Sequence, residues 1–179
     1  MVSRTHEVVI YTGNELNPDP NAGTEIGYIE ELATKRKVAS IVYCKTLYWQ
    51  NGQHTMILKN GQYCEYEIQL DDLYFGLLKH NELVFEAMMM HETGHLVNGD
   101  FDKPSSAKEA MDQRRELLQQ NKVADVELLA DRFAVSQCGK KIVNAMLDQI
   151  INTRKWRGYG PGDEGIREAQ LRKKAVCSM

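Results

Sequence analysis

His91-Glu92-Thr93-Gly94-His95 places two imidazoles and a carboxylate within five residues, and no other stretch of the chain is so well equipped for chemistry. On a helix, positions four apart lie on one face, one turn above each other, so both imidazoles can reach a single metal ion. Glu92 stands one step round and can face a water on that metal, as a general base must. A five-residue pattern also arises by chance, so its surroundings decide its weight. Met88, Met89, Met90, Leu96 and Val97 are all uncharged, which predicts a buried helix, and Gly94 leaves room for a close neighbour. The competing reading is an ordinary core helix with two satisfied histidines. Polar side chains on so apolar a helix need partners, and a zinc ion supplies them together.

Catalytic zinc takes three protein ligands and keeps one position open. No histidine follows His95, so the third ligand is expected among the carboxylates. Glu127 and Asp131 are four apart in Glu127-Leu128-Leu129-Ala130-Asp131, a segment whose other face carries Val123, Val126, Leu129 and Phe133. One carboxylate of such a pair can bind the metal while the other holds a ligating imidazole by its second nitrogen. The spacing by itself does not say which of the two takes which task. Ala130 and Ala134 keep that face thin enough to approach the first helix. The bland alternative is two solvated acids on a surface helix. Asp100 can be read as a further ligand or as part of the Asn98-Gly99-Asp100 turn, and the turn is preferred.

His91-Glu92-x-x-His95-x-x-Asn98-x-Asp100, followed by Glu127-x-x-Ala130-Asp131-x-x-Ala134, resembles the gluzincin peptidases of the HtpX heat-shock protease and CAAX prenyl endopeptidase type. The resemblance spans residues 84 to 171. Gly139 with Ala145-Met146-Leu147 looks like the helix that follows in that family. Pro161 and Arg167-Glu168-Ala169-Gln170-Leu171 match part of a third element, in which Gly160 replaces the family's histidine. The resemblance implies zinc held by His91, His95 and Glu127, Glu92 as base, and hydrolysis of peptide bonds through a zinc-activated water. It also puts Arg167 at the family's arginine position, the first choice for steadying the oxyanion, ahead of Tyr159 and Arg154. Those relatives are embedded in membrane, whereas the charged stretch Asp102 to Gln120 stands here between the motifs. A soluble relative is therefore expected. A similar two-motif pattern occurs in soluble repressor-cleaving peptidases of the ImmA and IrrE kind, which come with a regulatory partner. An inactive zinc-binding relative is the remaining alternative, and the retained Glu92 speaks against it.

The elements that must position these residues read as strands first and helices after. Glu7 to Tyr11 and Ala39 to Tyr43 suit strands, and residues 25 to 37 carry Ile26, Ile29 and Leu32-Ala33 at helical spacing. His54 to Leu58 and Tyr63 to Leu70 flank Asn60-Gly61, a favoured two-residue hairpin turn, at the margin of a sheet. The arm from Tyr63 is a candidate to pair with an extended peptide substrate. Helices are expected from Asn81 to about Asn98, 103 to 121 (exposed, or else a flexible excursion), 122 to 138, Ile142 to Thr153, and a short one through Ile166 and Leu171. At 179 residues this is one α+β domain of zincin-like kind, residues 1 to 179. A net charge of −3 gives no reason to expect nucleic acid as partner. Lys35-Arg36-Lys37 and Arg172-Lys173-Lys174 read as solvated helix faces. No window suits a membrane span or a secretory signal. Cys44, Cys64, Cys138 and Cys177 are scattered, so a reduced, cytoplasmic protein is the simplest expectation.

Overall fold

A computed structural model of the chain describes residues 2–4, 8–12, 24–44, 55–60, 65–100 and 107–179. The chain is α+β and divides into two compact units, Met1–Glu86 and Ala87–Met179.

The first unit is built on a mixed sheet of β1 (Val2–Arg4), β2 (Val8–Thr12), β3 (Thr24–Glu31), β4 (Lys37–Tyr43), β5 (Thr55–Asn60) and β6 (Glu65–Leu70). The order is β1-β2-β3-β4-β6-β5, antiparallel throughout except for the parallel pair of β4 with β6. Ile10, Ile29, Ala39, Ile41, Ile68 and Leu70 are buried, and α1 (Asp72–His80) adds Tyr74, Phe75 and Leu77. The Asp71 carboxylate accepts from the Tyr74 N–H at 3.2 Å and starts that helix, as an acid at an N-cap does.

Three sequence expectations change here. Residues 25 to 37 form a strand and a turn, not a helix. The register steps from Glu25↔Val42 to Gly27↔Ile41, a bulge that leaves Ile26 as the extra residue. A bulge reverses the alternation of a strand, so Ile26 and Ile29 both reach the core at a spacing of three that imitates a helix. The Asn60-Gly61 turn also fails, because Asn60 pairs with Glu65 as a strand residue, and the connection itself lies outside the described residues. Finally, β6 has β4 on one side and β5 on the other, so its backbone is already paired and cannot take up a peptide. The hairpin does lie at the sheet margin, with β5 as the edge strand.

The second unit is helical. It contains most of α2 (Glu82–Val97), then α3 (Ala107–Gln119), α4 (Asp125–Cys138), α5 (Lys140–Trp156) and α6 (Glu164–Ser178). Its core includes Met88, Met89, Met90, Ala130, Val143, Met146, Leu147 and Ile166. Gly99 (φ 68°) ends α2: its N–H reaches Leu96 O at 3.2 Å, and the Asp100 N–H reaches His95 O at 3.1 Å. These two bonds make a Schellman motif, which needs the left-handed conformation that glycine adopts freely. Asp163 caps α6 by accepting from the Ile166 N–H at 2.9 Å, and Arg154 at the end of α5 holds the same carboxylate. α6 runs 15 residues to Ser178, well past the short helix expected. On α4 the buried positions are Ala130, Asp131 and Ala134. On the apolar face noted in the sequence, Val126 and Leu129 are about two-fifths exposed, at 38% and 42%.

Candidate metal centre

α2 and α4 meet where the sequence placed the motifs. A Cβ built on Gly94 would lie 2.8 Å from the Ala130 Cα and 3.0 Å from its carbonyl oxygen, so only glycine permits this approach. Thr93 is fully buried and turns its hydroxyl back to Met89 O at 2.6 Å, satisfying itself within the helix. A test follows from Gly94. Replacing a helical glycine by alanine ordinarily stabilises by about 1 kcal/mol. Here the clash is with backbone, and an overpacking cost of about 3 kcal/mol should outweigh that gain and push α4 from α2. Gly94→Ala is expected to melt lower than the wild type in a thermal scan. An equal or higher Tm would refute the contact.

That approach brings His91, His95 and Glu127 together, with donor atoms within 4.8 Å of one another. The two Nε2 atoms are 3.2 Å apart, and the rings cross at 86°. Glu127 Oε2 lies 3.4 Å from His91 Nε2, and Oε1 lies 3.9 Å from His95 Nε2. Tetrahedral zinc with bonds of about 2.0–2.1 Å separates its ligand atoms by about 3.3–3.4 Å; the two Nε2 atoms already stand near that spacing, and Glu127 closes the wider gap, within a span of 4.8 Å, by bringing one oxygen to the ion.

The remaining ring nitrogens explain the convergence. His91 Nδ1 is 2.9 Å from Asp131 Oδ1, and His95 Nδ1 is 2.8 Å from Asp100 Oδ2. An ionised carboxylate only accepts, so each Nδ1 carries a proton, and in a neutral imidazole Nε2 then keeps its lone pair. Two lone pairs and a carboxylate then point at one place, an arrangement that needs a positive charge between them. Burial and Arg172 both work to lower the His91 pKa. Its bonds to Asp131 and Glu127 prevail and push it up to about 9, so a proton is one cation the cluster attracts. Burial alone would raise the Glu127 carboxyl, but Arg172 and the imidazoles hold it well below its ordinary value.

The charge balance points the same way. Among the described residues, Asp100, Glu127, Asp131 and Glu168 meet two cationic side chains in this network, Arg114 and Arg172, with Arg114 clamping Glu168 through both oxygens. With neutral imidazoles two negative charges remain, which a divalent cation cancels.

Asp100 fits the turn reading and stands outside the donor cluster. Its N–H closes the turn after α2, and the same geometry carries its carboxylate back to His95. Arg172 was missed altogether, because the run Arg172-Lys173-Lys174 reads as solvated. Lys173 does reach outward to Asp148, at 2.6 Å, and Lys174 is exposed. Arg172, only 6% exposed, shares its face with the buried Ala169 and Val176. That helical register with small and apolar neighbours is the signal that could have found it. Lys35 and Arg36 are solvated as expected, but in a turn between strands.

Glu92 sits half-buried on α2, one step from His91. Arg167 is elsewhere: its guanidinium donates to Asn121 Oδ1 at 2.8 Å. Five residues turn a helix by about 500°, so a helix that aims Arg172 at the cluster turns Arg167 about 140° away. Arg154 is bound to Asp163 and lies 4.8 Å over the Tyr159 ring, so both outsiders form the α5–α6 corner. No helix among the described residues is long and apolar enough to cross a membrane. Comparison with protein-family models, curated protein sequences and solved structures finds no match for the chain.

Proposed function

We propose that the chain is a zinc-dependent endopeptidase of gluzincin type, with a zincin-like arrangement of α2 and α4. The observation that carries the reading is the convergence of two Nε2 atoms and the Glu127 carboxylate, each imidazole held from behind by its own acid. A structural zinc site closes its fourth position with a further Cys or His. Among the described residues the cluster holds only these three donors. Zinc bound there would act as a Lewis acid and bring the pKa of a water toward neutrality. Glu92 is then the base that takes the proton from the attacking water and returns it to the leaving amine. Asp131 and Asp100 keep both imidazoles in the binding tautomer. Peptide and protein chains are the proposed substrates.

The test has two readouts. Purified protein should carry about one zinc per chain after supplementation, because three converging protein ligands define one site. It should also cleave members of a broad peptide library, stop with a chelator, and recover with zinc. Absence of zinc from the wild type would end the metal reading. Zinc retained without any cleavage would favour a zinc-bearing regulator over an enzyme.

A further inference from the structure

Arg172 spends every arm of its guanidinium on the two carboxylates of α4. Nε donates to Asp131 Oδ2 at 2.8 Å and Nη2 to Asp131 Oδ1 at 2.7 Å, a forked contact. Nη1 lies 3.0 Å from Glu127 Oε2. Nη2 is also 3.1 Å and 3.3 Å from the two nitrogens of His91. One donor nearly equidistant from both ring nitrogens cannot lie along either lone pair, so it rests against the ring face and leaves Nε2 open. The side chain is 7% exposed, so these contacts work in a dry setting where the planar geometry of arginine counts. Asp131 and Glu127 stand one helical turn apart, and one rigid cation sets the distance between them.

We propose that Arg172 is a positioning residue for the metal centre. By occupying Glu127 Oε2 it restricts that carboxylate to a single oxygen for the metal, and by holding Asp131 it fixes the acid that orients His91. This rests on the metal-site reading above. The rival is a plain charge partner, a cation that neutralises two buried acids and contributes only to folding. Lysine separates the two, because it supplies the charge as a point and cannot fork.

The experiment measures zinc affinity and the visible spectrum of the cobalt(II)-substituted protein for wild type and Arg172→Lys, with circular dichroism to establish folding. Positioning predicts a folded Arg172→Lys whose zinc affinity falls by about tenfold to a hundredfold, the usual cost of losing an outer partner. Its cobalt bands should also weaken and shift as Glu127 offers both oxygens and the coordination number rises. Wild-type affinity and an unchanged spectrum in Arg172→Lys would overturn the proposal and leave the metal reading intact. A wild type that binds neither metal takes both down. If Arg172→Lys does not fold, Arg172→Ala is titrated with methylguanidine. Saturable recovery of zinc binding supports positioning. Recovery of the fold without zinc, or of neither, makes Arg172 a structural residue only.

Discussion

Glu92→Gln is expected to keep its zinc and its fold while losing peptide hydrolysis by about a hundredfold to ten-thousandfold, the range that a positioned general base contributes. The side chain is nearly isosteric, and Glu92 is not among the three converging donors. Removing its charge therefore leaves the ligands in place and takes away only the group that can accept a proton from water. Zinc content, thermal stability and turnover of a cleavable peptide, measured on one preparation, decide the matter. Hydrolysis at the wild-type rate would remove Glu92 from the reaction. Loss of zinc along with activity would instead mean that Glu92 helps to hold the metal.

The second large effect separates the two carboxylates of α4. Glu127→Ala removes one of three donors, and its zinc affinity should fall by more than about a hundredfold, beyond the usual cost of an outer partner. Asp131 acts through the imidazole of His91, so Asp131→Asn should weaken binding by only about tenfold to a hundredfold. Asparagine is the better probe than alanine here. Asp131 is fully buried and also holds Arg172; asparagine removes the charge but keeps the side-chain volume and one oxygen that can accept from the guanidinium, whereas alanine leaves both partners facing a void. Zinc titration of both variants gives the ranking. Equal retention of zinc by Glu127→Ala and the wild type would move the third ligand elsewhere.

Much of this centre was readable before any coordinates. A spacing of four on an uncharged stretch suffices to place His91 and His95 on one face of a buried helix, because helix geometry is local. The same reasoning pairs Glu127 with Asp131. It also marks Gly94, Ala130 and Ala134 as small residues: Gly94 and Ala130 are where α2 and α4 touch, and Ala134 is buried on the same face of α4. Local rules misled where tertiary context overrode them. Ile26 and Ile29 satisfy a helical period only because a bulge shifts the strand by one residue. Val126 and Leu129 are apolar but partly exposed, since the close approach is made by the alanine face beside them.

What remained hidden depends on where separate helices meet. Arg167 and Arg172 have the same chemistry and lie on the same helix. Which one reaches the carboxylates follows from the rotation of α6, set by the burial of Ile166, Ala169 and Val176. Asp100 likewise offers nothing in its spacing to say that the turn after α2 folds it back onto His95. The amino-acid order thus specifies the donors and the faces they share, because side chains one turn apart need no knowledge of the rest of the chain. Tertiary structure decides the partners of those donors, since each comes from a contact whose two sides are far apart along the sequence or joined by a turn.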